Sequence, residues 1–287
     1  MKSLFLIKEG SFENLETIKI KSVISEVIFY KGDKNKFEYY SNSDDFNGSI
    51  NINTENNTFS FTEYFRTPFT DNFNLKNVLK IYLSYIPENL FITEKAGKID
   101  LENFESSKII EIKLLAGSVK GKFLKTKDFS LDMKAGDINF ENIESSFFST
   151  NIKAGSFKVS EINSKKIFLD GSAGEFRIKK ITSKTFETNQ KAAEISLDEL
   201  NTEDFDLNCA AGNILIKSCD FKYGSAKVSL GNLKIGIGKN NIKISSRVSL
   251  GNIKLFGENQ QNHSELIFGE GNKKLKLDVS LGNIEVY

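Results

Sequence analysis

The sequence predicts an all-β protein whose main part is a right-handed parallel β-helix, or β-solenoid, with coils of about 19 residues. Three observations lead to this prediction. One phrase recurs three times, a glycine marker recurs at a nearly fixed interval, and apolar residues alternate with polar ones around the marker. No segment shows the sustained period of 3.6 residues that predicts a helix.

The recurrent phrase is VSLGN, which begins at Val228, Val248 and Val279. Its glycine belongs to a longer series whose interval is nearly constant except for the last, which is clearly longer. The members of this marker series are Gly97, Gly117, Gly136, Gly155, Gly174, Ala193, Gly212, Gly231, Gly251 and Gly282. A regular period of this length indicates stacked structural repeats, here about ten coils.

Each repeat has the pattern of two short strands joined by corners. Apolar residues stand two and four positions after the marker with a polar residue between them, as in Ile138, Asn139 and Phe140. A second alternating segment precedes each marker, as in residues 205–209. Alternation with period two is typical of strands. Stacked coil on coil, such strands pair in parallel and bury ladders of equivalent side chains.

The marker position suits a corner of the coil, because glycine tolerates positive φ and close backbone approach. The residue before the marker is Ala in the first seven copies and Leu in the last three. We interpret this change as a corner that widens after Gly212. Ala193 replaces the glycine in one coil, so positive φ is not strictly required there.

Two regions are predicted along the chain. Residues 1–90 lack the marker but contain short alternating segments between turn clusters, which indicates a β-rich N-terminal cap continuous with the solenoid. Residues 91–287 form the solenoid. The long interval between Gly251 and Gly282 predicts an insertion at 258–272 that protrudes as a loop or small hairpin. A linker is predicted within the cap at Asn72–Val78.

Composition excludes several partner classes. The chain has 39 Lys and Arg against 38 Asp and Glu, and this balance gives no electrostatic reason to expect nucleic acid. No run approaches the roughly 20 apolar residues of a transmembrane helix. The opening MKSLFLIKEG has four consecutive apolar residues, whereas a secretory signal needs about 7–15. A cytoplasmic location is therefore expected, with envelope association only through a partner.

The serial units resemble a known group of bacterial proteins. A strand-rich start is followed by LKIYLSYIPENLFITEKAGKIDLENF at residues 79–104, and then by AGDI, AGNI and LGNI units. Together these resemble the bacterial putative-adhesin families, β-strand repeat domains of unknown function with a toast-rack-like β-solenoid. The resemblance covers nearly the whole chain and implies the fold, and it implies no catalytic residue. Bactofilins, which are polymerising bacterial β-helix scaffolds, are a weaker match.

The residues predict no catalytic, cofactor or metal site. Cys209 and Cys219 both fall in apolar columns of the repeat, so we interpret them as core residues rather than as a disulfide or a metal pair. His263 is the single histidine, lies in the polar insertion and is expected to be exposed; alone it cannot form a usual zinc site. One late column predicts an amide ladder, and its members are Asn213, Asn232, Asn252 and Asn283.

The chain ends on a strand, VSLGNIEVY, with no polar segment after it. A solenoid normally shields its terminal coil, because unpaired strand edges template further pairing. We therefore predict an end-on assembly surface on this last coil, unless the insertion at 258–272 folds over it. Its members are Val279, Leu281, Ile284, Val286 and Tyr287.

Three functions stay open at this point. The pattern favours a non-enzymatic scaffold that works through self-association or through binding another protein. The alternative is an adhesin-like module that binds carbohydrate or a cell surface. A β-helix enzyme acting on carbohydrate is least favoured, because the regular columns contain no recognisable constellation of acids and bases.

Overall fold

The computed structural model describes residues 3–43, 48–65 and 75–287, and within them the prediction of an all-β fold is confirmed. The protein divides into two compact units, Met1–Ser145 and Ser146–Tyr287. The boundary predicted at residue 90 stays a prediction. The helical segment Glu55–Asn57 is a 3-10 turn, and nothing in the described part of the chain forms a helix long and apolar enough to cross a membrane.

The strands follow one another with short connections. The first nine are β1 (Phe5–Ser11), β2 (Thr17–Ser22), β3 (Ser25–Lys31), β4 (Lys36–Ser41), β5 (Gly48–Asn53), β6 (Thr58–Phe65), β7 (Asn77–Leu83), β8 (Asn89–Leu101) and β9 (Ile109–Lys125). The others are β10 (Asp128–Asp220), β11 (Tyr223–Leu230), β12 (Leu233–Ile235), β13 (Ile242–Leu255), β14 (Glu258–Gln260), β15 (His263–Phe268) and β16 (Lys273–Val286). Because strand hydrogen bonding continues around the coil corners, β10 is one run of 93 residues.

In the first unit, successive copies of the repeat pair in parallel, one coil apart. Gly97 lies opposite Gly117 between β8 and β9, and Gly117 lies opposite Gly136 between β9 and β10. The N-terminal residues extend this stack, since β2 and β3 pair in parallel with the two halves of β8. Outside them, β6 and β7 pair in parallel with β2 and β3. The β1, β4 and β5 strands run antiparallel to their neighbours.

The predicted linker Asn72–Val78 is only partly open to comparison. Residues 72–74 lie outside the described residues. Asn77 and Val78 are the first two residues of β7 and are buried. The linker prediction is wrong at that end, because the alternating pattern of residues 77–83 already places them in the stack.

Alternating apolar residues form the core of each unit. In the first unit, Phe129 and Phe140 pack edge to face with ring centroids 5.6 Å apart. In the second unit, Phe157 packs between Phe148 and Phe176, with centroid distances of 6.2 and 5.9 Å. Fully burying a side chain of this kind contributes about 1.5–3 kcal/mol. Repetition of the same apolar positions in every coil therefore supplies much of the stability.

The second unit stacks its last coils in an order that differs from their order along the chain. The C-terminal strand β16 pairs in parallel with β11 and β12 on one side and with β13 on the other. Gly282 thus lies between Gly231 and Gly251. The prediction of a bare C-terminal end is wrong, because both edges of β16 are hydrogen-bonded within the chain.

The outer coil of this unit is the one that contains β13. After Leu255 the chain turns at Phe256 and Gly257, whose φ angles are 49° and 91°. The strands β14 and β15 then run back antiparallel to β13. Residues 258–272 therefore contain two short strands that fold against the outer edge of β13, and the chain afterwards enters β16 on the opposite edge.

Candidate functional site

The marker residues bring neighbouring coil backbones into close contact. In eight of the ten coils the marker glycine has φ between 129° and 155°, a range that favours glycine. A Cβ atom on Gly136 would overlap the carbonyl oxygen of Gly117, and one on Gly212 would overlap that of Ala193. Ala193 itself has no positive φ, which agrees with the expectation from its side chain. The markers are structural and offer no reactive group.

The residues of the predicted end surface do not form one surface. Val279, Ile284 and Val286 are buried in the core, between the equivalent residues of β11, β12 and β13. Leu281 and Tyr287 are exposed. Of these five residues, only Leu281 and Tyr287 are therefore accessible to a partner. The coil that contains them is not a terminal coil, because β16 is paired on both edges.

Leu281 is instead the middle member of a leucine ladder, which consists of Leu230, Leu281 and Leu250. These residues lie opposite one another in the β11–β16 and β13–β16 pairings. Their exposed fractions are 55%, 49% and 67%. Because paired strands lie about 4.8 Å apart, the three side chains adjoin. A contiguous exposed apolar patch with polar neighbours is typical of an interaction surface.

An asparagine ladder runs beside the leucine ladder. Asn213 Oδ1 accepts hydrogen bonds from the backbone N and Nδ2 of Asn232, at 3.0 and 2.9 Å. Asn232 Oδ1 accepts in the same way from Asn283, at 3.2 and 2.9 Å. Asn283 Oδ1 accepts from Asn252, at 3.2 and 3.3 Å. The predicted amide ladder is confirmed, with Asn283 before Asn252, and it gives the leucines an uncharged polar border.

The first unit contains a buried carboxylate, Glu63, that joins several strands. Its donors, with their distances, are Val23 N (2.7 Å), Ile24 N (3.2 Å), Ser25 Oγ (3.1 Å), Tyr39 Oη (2.5 Å) and Asn77 Nδ2 (2.6 Å). Five donors saturate a carboxylate, which has about four lone-pair sites. Burial, followed by the charge of Glu63, raises the pKa of Tyr39. This network fastens β6 to β3, β4 and β7.

A second carboxyl group, Glu94, lies across β2 from Glu63 and has a very different environment. It is 2% exposed, and no side chain among the described residues donates a hydrogen bond to its two oxygens, which have only weak backbone interactions at Ser25 and Ala96. Ser22, opposite Glu94 in the β2–β8 pairing, has an unpartnered Oγ. Burial, followed by the charge of Glu63, raises the pKa of Glu94 to about 9. Glu94 is therefore neutral at pH 7, and neither carboxyl group is open to a substrate.

Two grooves open on the second unit. One has a volume of about 550 Å³ and is lined mainly by amide, hydroxyl and charged groups. The other has a volume of about 410 Å³ and an apolar floor between acidic and basic side chains. Both follow columns of equivalent residues on neighbouring strands, so the coil repeat positions their lining groups.

The cysteines and the histidine occupy the environments predicted from the sequence. Cys209 and Cys219 are buried and free, and burial raises the pKa of both thiols, which makes them weak nucleophiles. His263 is exposed, although it stands in β15 rather than in a loop. Across residues 3–43, 48–65 and 75–287, no group of three or more His, Cys, Asp or Glu side chains could hold a metal ion.

This geometry, with parallel coils marked by glycine corners, can be compared with known proteins. Residues 147–264 match the family model Toastrack DUF4097. The resemblance to toast-rack-like putative-adhesin proteins is thereby confirmed. The Toastrack segment contains two members of the leucine ladder, Leu230 and Leu250, whereas Leu281 lies beyond its end. No curated protein shows significant sequence similarity to the chain.

Solved structures match the fold over almost the full length. A putative adhesin from Parabacteroides distasonis has a TM-score of 0.50 at 13% identity, and the match covers 99% of this chain and 97% of that chain. A putative lipid binding protein from the same organism has a TM-score of 0.50 at 14% identity, with 99% and 96% covered. At these identities the comparison supports the fold alone. The role of residues 147–264 has to be argued from the surfaces of that segment.

Sequence reasoning missed the leucine ladder and the buried carboxyl pair. The change from Ala to Leu before the marker is visible in the sequence, but the pattern there suggests a wider corner. Glu94 also has a signal, because it occupies a column in which the next two coils have Leu114 and Met133. Glu63 precedes the marker series, so no column of the repeat distinguishes it in the sequence.

Proposed function

We propose that the protein is a non-enzymatic scaffold of the adhesin type that works by self-association. The leucine ladder carries this proposal. It presents three adjoining apolar side chains on hydrogen-bonded strands, so little conformational entropy is lost when a partner covers them. It contains no charge, and the asparagine ladder beside it is also neutral, so two copies can meet there without electrostatic repulsion.

The first experiment replaces all three ladder leucines by serine. Wild-type protein is expected to show concentration-dependent oligomers in light scattering, and the variant is expected to associate about 10²–10⁴ times more weakly. This range follows from the loss of about 0.5–1 kcal/mol of burial for each half-exposed leucine, with three leucines on each of the two copies. The free energy of unfolding should change little, because the side chains are exposed in the monomer.

Ile267→Ser is the matched control, since Ile267 is similarly exposed but lies outside the ladder. It should associate like the wild type. A wild-type chain that stays monomeric at every concentration would contradict self-association as the function. Equal association of the wild type and the serine variant would remove the ladder as its basis.

A second candidate function, carbohydrate binding, is favoured by the polar groove. Its lining includes Asn151, Asp170, Ser172, Asn189, Asn208 and Lys227. Amide, hydroxyl and carboxylate groups can exchange hydrogen bonds with sugar hydroxyls. Asn208 Nδ2 donates to Asn189 Oδ1 at 3.2 Å, so this part of the groove is already ordered.

This candidate predicts saturable heat in calorimetric titration with a panel of soluble glycans. Asn189→Leu with Asn208→Leu should weaken that binding by at least about tenfold, because two hydrogen-bonding groups are lost. Asn201→Leu, at a partly exposed asparagine elsewhere in the same unit, should bind like the wild type. Absence of heat with every glycan would exclude this candidate for the panel tested.

A further inference from the structure

The apolar groove lies between two columns of outward-facing residues on five neighbouring strand layers. In the first column Asp204 lies opposite Tyr223, Tyr223 opposite Lys274, and Lys274 opposite Lys243. The second column contains Asp206, Ser225, Lys276 and Ser245 in the same order. We call this surface the Tyr223 face. Its floor is apolar and includes Phe186, Phe205 and Leu275.

The charges of the Tyr223 face are separated by sign. Asp204, Asp206 and Glu187 line one end, whereas Lys274, Lys276 and Lys243 line the other. Tyr223 and Ser225 stand between the two ends. Asp206 and Lys276 are two strands apart, about 10 Å, so the intervening Ser225 keeps them from pairing with each other.

The charges at the acidic end are not neutralised by ion pairs within the described part of the chain. Asp206 only accepts a weak hydrogen bond from Asn208 Nδ2, at 3.3 Å. At the basic end, Lys274 Nζ lies 5.7 Å from the centre of the Tyr223 ring. Lys276 Nζ is 3.8 Å from Asp278, and Lys243 pairs with Glu265. The face thus retains unpaired negative charge at one end and accessible ammonium groups at the other.

We propose that the Tyr223 face binds a second copy of this chain through a two-fold axis at Tyr223. Such an axis places the acidic end of each copy on the basic end of the other, so Asp206 meets Lys276 twice. A two-fold interface requires a self-complementary surface, and a charge pattern that reverses sign about its centre has this property. The inference rests on the proposed self-association, and it adds to the leucine ladder a second contact face, at the other end of β11.

Tyr223 supplies the centre of the interface. Its side chain is 54% exposed, although tyrosine ordinarily covers part of its ring. The groove beside Tyr223 has a volume of about 410 Å³ and an apolar floor, so it can receive an aromatic ring from the partner. Aromatic residues at the centre of an interface, with charged groups around them, commonly supply most of its binding energy.

The face is small, which is typical of a weak and reversible dimer. Five strand layers span about 19 Å, which is small for a permanent interface. A dimer with a dissociation constant in the micromolar range is expected, corresponding to about 8 kcal/mol. It should weaken as salt is raised, because the exposed charges are screened.

The test uses two charge reversals, Asp206→Lys and Lys276→Asp, in the full chain. Each variant alone places like charges together twice, and sedimentation velocity should show at least a tenfold weaker dimer than the wild type. Mixed in equal amounts, the two variants should form a heterodimer, because the new lysine of one copy then meets the new aspartate of the other. Glu199→Lys, an exposed reversal elsewhere in the unit, should dimerise like the wild type.

The outcomes separate this inference from the proposed function. If either single variant keeps the wild-type affinity, or if the mixture stays monomeric, the Tyr223 face is overturned as the interface. If the leucine-ladder variant then loses association, the proposed function stands without this face. If the wild type does not associate at any concentration, both the proposed function and this inference are wrong.

Discussion

Replacing Gly136 by alanine is expected to lower the free energy of unfolding by about 3–5 kcal/mol. Gly136 has a φ of 140°, which an alanine adopts only with strain. The new Cβ would also overlap the carbonyl oxygen of Gly117 on the neighbouring coil. Since that atom belongs to the backbone of a paired strand, it cannot turn aside as a flexible side chain could, and the two coils must separate locally.

Gly238→Ala is the matched control for this substitution. A Cβ at Gly238 meets nothing within 4 Å, and its φ is not in the strained range. Chemical denaturation of the two variants should show a large loss for Gly136→Ala and a change within about 0.5 kcal/mol for Gly238→Ala. Equal losses would mean that the close backbone contact at the marker glycines does not contribute to the stability of the stacked coils.

The second large effect is a dependence of stability on pH that originates at Glu94. Its pKa of about 9 in the folded protein lies well above the ordinary value of 4.5. Between these values the folded state keeps a proton that the unfolded state releases. Stability from this group is therefore fully present below about pH 4.5 and is lost as pH rises toward 9, with a limiting slope of about 1.4 kcal/mol per pH unit.

Glu94→Gln removes the titrating group while keeping the side-chain shape. Compared with the wild type, the variant should gain relative stability as the pH is raised from 5 to 8, and the difference should amount to several kcal/mol. Glu141→Gln, at an exposed glutamate of the same unit, should leave the pH dependence unchanged. Parallel stability curves for the wild type and Glu94→Gln would show that Glu94 ionises normally in the folded state.

Much of the fold could be predicted because its signals are local and repeated. Ile138 and Phe140 alternate with polar residues within five positions, and the same pattern recurs in each coil. The columns that contain Cys209 and Asn232 follow directly from that repeat. Single departures from the pattern are harder to interpret, since the leucine before Gly231 could belong either to a wider corner or to an exposed surface.

The candidate site was less predictable than the fold. The leucine ladder depends on exposure, and no sequence period distinguishes an outward leucine at a corner from an inward one. The Tyr223 face depends on the neighbours of Lys276, which is distant from Asp206 along the chain but only two strands away in the stack. Its separation of charge could not be read before the stacking order was known.

The residue pattern alone indicates that the chain forms strands, that these repeat with a nearly constant period, and that glycine occupies the corners. These properties follow from side-chain alternation and backbone sterics within one coil. The order of the layers, with β16 between β11 and β13, is visible only in the folded chain. The repeats carry nearly the same phrase, so their edges are almost interchangeable, and local pattern cannot distinguish between them. Residues 258–272 lead the chain from one edge of β13 to the other. This path determines the order of the strands, and the order determines which side chains become neighbours.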